Sequence, residues 1–450
     1  MKKLLSPLSV SIQATLSQLL LLIICSFYTN AQIKNGPMVG YSEMKEVMLW
    51  IQTEKRAKVK FNYWEQDKPS VKMTTDEVLT TKKDGFTAKI VCDQVTMGKK
   101  YNYEVLINNK VITRNYPLTF QSQELWQYRK DPPNFKFALG SCNYINEEST
   151  DRPGRGYGGQ NEIFTSISNK KPDFMIWGGD NFYYREADWG TRTGMIHRST
   201  HSRNVPELQP LLRNTHHYAI WDDHDYGPND SDRSFSQKEM SLEMFKLFWA
   251  NPNYVFKDEA CTGTFQWGDV QFFLMDDRWF RTPNENFTSD RDYYGKKQLT
   301  WLIDALSGSS ATFKIIVTGG QVVNPAKVFE NMSNYEGERN ELLKKITDAK
   351  IKGIIFVSGD RHHTVLQKLD RSGANYPLYD LTVSPITSGP AKPVKAEDDS
   401  PVVEGTLYTE RNFAICEVSG TLKDRTLKIS IFDTNGEQKW TRDIKASELK

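Results

Sequence analysis

The chain has 450 residues, with 58 Lys and Arg against 56 Asp and Glu, so its formal charge is +2 at pH 7. That length exceeds one ordinary compact core and points to two or three domains, while 38% hydrophobic and 12% aromatic content excludes an intrinsically disordered chain. The near balance of charge, with no polybasic tail or run, argues against nucleic acid or an anionic membrane surface as the main partner.

The N-terminus reads as an export signal. Lys2 and Lys3 precede the apolar run Leu19 to Cys25, and Thr29-Asn30-Ala31 places small residues where a signal peptidase cuts. The run falls short of the roughly 20 residues that span a membrane. Residues 1–31 are therefore expected to be removed, leaving a periplasmic or extracellular chain of formal charge 0. Lipid attachment at Cys25 ranks second, because Ile24 is not the small residue such sites prefer. Cys92, Cys142, Cys261 and Cys416 would remain, without a CxxC pair, so their disulfide state is open and a thiolate ligand stays available.

Residues 33–122 are expected to form a small all-β sandwich of immunoglobulin or fibronectin type. Val47 to Gln52, Ala57 to Trp64, Phe86 to Cys92 and Tyr101 to Asn108 are β-rich runs between polar turns. Asp131-Pro132-Pro133 reads as a linker. Residues 133–450 then interleave strands with helices, the pattern of an α/β or layered αββα domain. Its strands are FKFAL, DFMIW, HYAIW, VQFFLM, FKIIV and GIIFV. Ser236 with Glu239 reads as a capping box ahead of Met240, Met244, Leu247 and Phe248, and Leu299, Leu302 and Leu306 mark a further amphipathic helix. The late runs NFAICEVSG and TLKISIFD are expected to complete the sheets of this domain.

Chemistry-bearing residues follow four of these strands: Gly140-Ser141-Cys142, Gly178-Gly179-Asp180, Asp222-Asp223-His224-Asp225, and Ser358-Gly359-Asp360-Arg361-His362-His363. Ligands of such sheets bind beyond the carboxyl ends of the strands, so the four clusters are expected to converge. All seven histidines lie between His197 and His224 or at His362 and His363. Asp222, Asp223 and Asp225 fall within four residues. Two like charges about 4 Å apart repel by roughly 4 kcal/mol at an effective dielectric near 20, so a metal, solvent or a shared proton must offset them.

Together the four clusters resemble the alkaline phosphatase D (PhoD-like) branch of the calcineurin-like metallophosphatases. The superfamily's opening Asp and His are replaced by cysteine, as at Cys142. The GDxxY element matches Asp180 to Tyr183, the GNH[DE] element takes the form WDDHD, and GHxH becomes Gly359-Asp360-Arg361-His362. Carried over position by position, the resemblance implies Cys142, Asp180, Tyr183 and His362 around ferric iron. It also implies a second site, calcium, sharing Asp180 and using Asp223 and Asp360. It implies hydrolysis of phosphate monoesters or diesters by metal-activated water. His224, whose pKa the flanking carboxylates are expected to raise, is the candidate for protonating the leaving oxygen or binding the phosphate.

Chemistry alone nominates Arg361 and Arg203 as phosphate clamps. Asp222 is expected to orient its loop through backbone amides, Asp276 and Asp277 to make salt links with Arg278 or Arg281, and Ala396 to Ser400 to form a solvated loop. The expected protein is a monomeric exported phosphoesterase. A phospholipase D-like phosphodiesterase on the same scaffold and a non-catalytic, calcium-stabilised surface binding protein are the competing readings.

Overall fold

The computed structural model describes residues 33–113, 116–288 and 290–450; the expected signal segment, its cleavage point at Ala31 and Cys25 lie outside the described residues. Phe135–Gly140, Phe174–Gly178 and His216–Ile220 are short apolar strands buried along nearly their whole length, as strands covered on both faces must be. They pair in parallel, with Gly140 opposite Trp177 and Gly178 opposite Ile220, so their carboxyl ends lie level. Asn412–Ser419, Thr426–Asp433 and Gln438–Lys445 extend this sheet antiparallel beyond Phe135–Gly140. The late runs thus belong to the same sheet as the first cluster.

A second, six-stranded sheet holds Val270–Leu274, Phe313–Val317, Ile354–Ser358 and Leu378–Thr382 in parallel, with Gly263–Trp267 and Val365–Leu369 antiparallel at its edges. Side chains alternate across a strand. Phe272 therefore faces the first sheet, edge-on to Phe137 at 5.3 Å, while Phe273 turns outward to Trp301 on the helix Gly295–Gly308. On the outer face of the first sheet, Trp177 packs against Phe164 of the helix Glu162–Asn169 and against Trp249. The result is helix, sheet, sheet, helix, with the strand-end clusters gathered along one rim.

The N-terminal sandwich is present, but it is not a separate bead. Ile33–Ser42 pairs in parallel with His216–Ile220 through Val39 and His216, and Val47–Thr53 and Thr87–Cys92 follow, so one of its sheets is the far end of the nine-stranded sheet. Its other sheet is built on Lys58–Glu65 and Lys100–Ile107. Met38 and Trp50 enter the core of the larger domain, whereas Val39, Leu49 and Ile51 pack with Phe61, Tyr63 and Tyr101 in a second core.

One local expectation fails. The helix Lys238–Phe248 begins at Gln237 without a side-chain cap, and Ser236 with Glu239 forms no capping box. Its first turn is held instead by the Ser241 hydroxyl, which donates to the Tyr226 carbonyl at 2.5 Å. Cys92, Cys142, Cys261 and Cys416 are buried free thiols.

Candidate metal centre

At three strand ends the backbone turns sharply through a left-handed residue: Cys142 (φ 58°), Asp180 (φ 52°) and Asp360 (φ 58°), followed by His362 (φ 53°). L-residues rarely adopt this region, and such strain collects at functional sites. The turns also need glycine. A Cβ on Gly179, itself at φ 94°, would stand 2.7 Å from Asp222 Cβ, and one on Gly359 would stand 2.6 Å from Ser141 Oγ. The strand ends can close on each other only because those side chains are missing.

Cys142 Sγ lies 3.6 Å from Asp180 Oδ2, and ligand atoms of Cys142, Asp180 and His362 all fall within 4.8 Å of one another. The Tyr183 hydroxyl stands 3.1 Å from His362 Nε2. His362 Nδ1 is 2.7 Å from the Gly389 carbonyl. A carbonyl only accepts, so Nδ1 carries the proton and the Nε2 lone pair faces the cluster, the tautomer a metal-binding histidine needs. A second group of ligand atoms, from Asp180, Asp223 and His224, also lies within 4.8 Å, and Asp180 belongs to both.

Burial pushes Asp180 far above the usual carboxylate range, with Asp223 and Cys142 adding to it. Burial likewise raises the Cys142 thiol to about 11 and pushes the Tyr183 phenol up. Burial works against the charge of Asp223 too, but His224 and Arg278 beside it bring it to about 2. Without cations the cluster therefore keeps protons on its thiol, its phenol and Asp180. His224 and His362 are both lowered by burial. For His224 this corrects the expectation of a raised pKa: the low dielectric outweighs the attraction of Asp223.

Behind the ligands, the role expected of Asp222 falls mainly to Asp225. Its carboxylate accepts the backbone N–H groups of Asp222 (2.7 Å), Asn181 (3.1 Å) and Asp180 (3.2 Å) and the Asn181 amide (2.6 Å), tying two strand ends together. Asp222 caps the Asp223 N–H but also accepts Arg278 Nε at 2.6 Å, and Arg278 grips Glu330 at 2.5 and 2.7 Å. Arg278 and Asp222 are fully buried. Nothing local in the sequence marks Arg278 and Glu330 as partners, since 52 residues separate them. The loop carrying Ser384, Thr387, Ser388 and Gly389 was equally silent; it bonds Cys142 through the Ser384 hydroxyl at 3.0 Å and the N–H groups of Thr387 and Ser388.

Several expectations are corrected. Arg203 does not line the site: it is buried under the rings of Phe248 and Trp249 and donates to the Ser199 and Phe248 carbonyls. Arg361 is held by Glu397 at 2.8 Å and covered by Phe329, so its guanidinium is engaged within the protein. Glu397 is consequently buried, and Ala396 to Ser400 is not merely a solvated loop. Asp277 approaches Arg278 at 3.6 Å as expected, whereas Asp276 organises a turn through the N–H groups of Cys261, Arg278 and Trp279. Asp360 is near enough for its charge to act on Asp180 and Cys142 but joins neither ligand group, and its Oδ2 is buried without a hydrogen-bond partner among the described residues. A cleft of about 550 Å³ opens beside Tyr183 and His224.

The PhoD-like phosphatase family model matches residues 137–421, well over half of the chain. The chain belongs to the PhoD-like phosphatases. A domain of unknown function, DUF7800, matches residues 30–125. A solved structure of PhoD is similar over 93% of both chains with a TM-score of 0.75 at 13% identity, which shows the shared fold. The sensor domain of the anti-sigma factor RsgI4 from Pseudobacteroides cellulosolvens covers 22% of this chain and 99% of its own at 14% identity, TM-score 0.18. A Vps29 double mutant from Entamoeba histolytica covers 69% and 98% at 10% identity, TM-score 0.26. Both are too distant to carry an argument. No curated protein sequence matches the chain.

As a PhoD-like phosphatase the protein is a metal-dependent phosphoesterase, a phosphoric ester hydrolase. Its donor set fits a cation on the structure's own terms. The PhoD-like cluster combines a thiol, a phenol, a correctly tautomeric imidazole and carboxylates, and leaves Asp222 Oδ2 and Asp360 Oδ2 buried with no hydrogen bond among the described residues. Among those residues no helix is long and apolar enough to cross a membrane.

Proposed function

We propose that the protein is an exported phosphoesterase for phosphate monoesters or diesters. Cys142, Asp180, Tyr183 and His362 would hold ferric iron, and Asp180, Asp223 and Asp360 would hold calcium. What carries the reading is the meeting of two ligand groups on Asp180. Thiolate and phenolate are anionic donors that favour a trivalent ion, and clustered carboxylate oxygens suit hard calcium. When bound, the cations supply Lewis acidity, neutralising phosphoryl charge and lowering the pKa of water.

The protein's own residues position the ester. His224 faces the cleft with its ring 4.1 Å from that of Tyr183 and its Nε2 3.8 Å from Asp223. Burial keeps its imidazole neutral near pH 7 in the free protein. A substrate phosphate beside it would raise its pKa and make it the proton donor to the leaving oxygen. Its reach to Asp180 and Asp223 favours a second reading, a ligand of their cation. His224→Gln separates the two: a ligand role raises the calcium needed for half-maximal turnover, a proton role alters the pH profile instead.

The test is metal analysis of the native protein together with rates on 4-nitrophenyl phosphate and bis(4-nitrophenyl) phosphate. A preference for the diester would favour a phospholipase D-like phosphodiesterase. Bound calcium without hydrolysis of either ester would leave a surface binding protein and overturn the catalytic reading. Export rests on the composition of residues 1–31, and a mature N-terminus at Met1 would refute it.

A further inference from the structure

The cleft beside Tyr183 and His224 is much larger than a phosphoryl group. Its volume of about 550 Å³ lies in the range of small-molecule sites. The rings of Tyr144, Tyr157 and Tyr183 make one continuous wall, with centroids 5.0, 5.1 and 6.3 Å apart. The wall begins at the metal-ligand candidates, since the Tyr157 hydroxyl stands 3.0 Å from His362 Nδ1. Tyr144 is braced from behind by Arg185, whose guanidinium lies 3.8 Å from the ring centroid and is itself paired with Asp151 at 2.8 Å.

Trp189 adds a half-buried indole to the lining. Arg152 and Arg155 also line the cleft; both are exposed, and neither has an ion-pair partner among the described residues. Buried arginines of this protein, by contrast, are committed to carboxylates or carbonyls, as Arg185, Arg278 and Arg361 are. Aromatic walls with free guanidiniums suit one kind of guest. Tyrosine and tryptophan faces stack on a planar ring whatever its identity, and guanidinium both stacks on such a ring and donates to its acceptor atoms. Arg185 and His224 already lie on Tyr144 and Tyr183, so the rings left for a guest are those of Tyr157 and Trp189, which a glycerol or sugar phosphate would leave unused.

We infer that the cleft receives the leaving-group half of the ester, and that this half carries a heteroaromatic ring of nucleobase type. The inference rests on the phosphoesterase reading and names the substrate class of the same site. The phosphoryl end sits at His224 and Tyr183, and the ring lies along the tyrosine wall with Trp189, within reach of Arg152 and Arg155.

The test compares two phosphonates whose P–C bond is not cleaved, the 5′-methylenephosphonate analogues of adenosine 5′-monophosphate and of ribose 5-phosphate. They differ only in the ring. Equilibrium dialysis against the metal-loaded full chain is expected to show the adenosine compound binding at least tenfold more tightly. Trp189→Ala, and Arg152→Ala with Arg155→Ala, should each bring the ratio down toward one, while Trp189→Phe should keep most of it. Equal affinities for the two compounds, or a ratio unmoved in both sets of variants, overturn the inference. Failure of the phosphoesterase reading is visible separately, as absence of hydrolysis of either chromogenic ester by the same preparation.

Discussion

Cys142 is a fully buried thiol on a left-handed backbone, held by the Ser384 hydroxyl and facing Asp180. A packing cysteine tolerates serine with a cost near 1 kcal/mol, whereas serine cannot supply an anionic ligand at neutral pH. If the proposed iron site is correct, Cys142→Ser is expected to hold no iron and to drop in kcat by more than the roughly 100-fold typical of losing an outer-sphere partner. Near-UV circular dichroism should be unchanged; full iron occupancy by elemental analysis would sink the assignment. The neighbouring pair Asp222 and Asp223 should separate by phenotype. Asp222→Asn strips a buried partner from Arg278 and should cost the metal-free protein about 3 kcal/mol in a urea titration. Asp223→Asn removes a carboxylate that His224 and Arg278 hold ionised, so it too should cost some metal-free stability, but unlike Asp222→Asn it should raise the calcium needed for half-maximal turnover at least about tenfold. A larger calcium requirement in the Asp222 variant than in the Asp223 variant would assign the ligand position to Asp222.

The strand His216–Ile220 carries the third cluster on its far end and two locked histidines at its start. The Trp177 indole N–H donates to His217 Nδ1 at 2.9 Å, so His217 keeps its proton on Nε2, toward the Leu211 carbonyl. The Gln121 N–H donates to His216 Nε2, and His216 Nδ1 donates to the Gly40 carbonyl at 2.8 Å. Neither ring can take a second proton without breaking a bond, and burial brings His216 to about 4 and His217 to about 3. Both values lie below the unfolded value near 6.5, so below that pH the unfolded chain binds protons the folded one refuses. Stability is full above pH 6.5 and falls on acidification. Between pH 7 and pH 5 the two rings should together remove about 4 kcal/mol. Denaturant titrations at the two pH values on the wild type and on His217→Gln, which keeps a donor and an acceptor, measure this: the variant should lose about 2 kcal/mol less than the wild type between them. An identical pH dependence in the wild-type and His217→Gln proteins would contradict the neutral assignment, because buried carboxylates such as Asp225, raised to about 7, act in the opposite direction but are common to both.

Across the whole molecule one nine-stranded sheet runs from Thr87–Cys92 to Gln438–Lys445. The Trp50 indole donates to the Leu247 carbonyl, Asn35 to the Thr200 carbonyl and Arg213 to the Gly36 carbonyl, so the N-terminal strands are sewn to the helices of the larger domain. Linked domains with small polar interfaces unfold separately, but a shared sheet and core couple them. Urea unfolding is expected to be a single transition, with far-UV circular dichroism and tryptophan fluorescence coincident. A chain starting at residue 126 should aggregate, because it would expose the His216–Ile220 edge and the face that Met38 and Trp50 cover. Two resolved transitions, or a folded and monomeric truncated chain, would refute the coupling.

The strand runs of both regions, the layered architecture and the four clusters at strand ends were legible because each is contiguous: an apolar run followed at once by Gly and a donor. The family resemblance that those patterns carry implied Cys142, Asp180 and His362 around one metal, and the fold does bring them together. What the sequence left undecided depended on partners far along the chain. Arg203 and Arg361 look like free cations until Trp249 and Glu397 are found beside them. Asp222 and Asp225 are alike in the sequence, and only Arg278 and the amides of Asp180 and Asn181 give them different work. His216 and His217 share a stretch with His224, yet the backbone and indole groups around them make them structural. Local pattern determined where charge could collect; burial and long-range pairing decided which charges are already satisfied, because the cost of an ionised group is set by its neighbours in space.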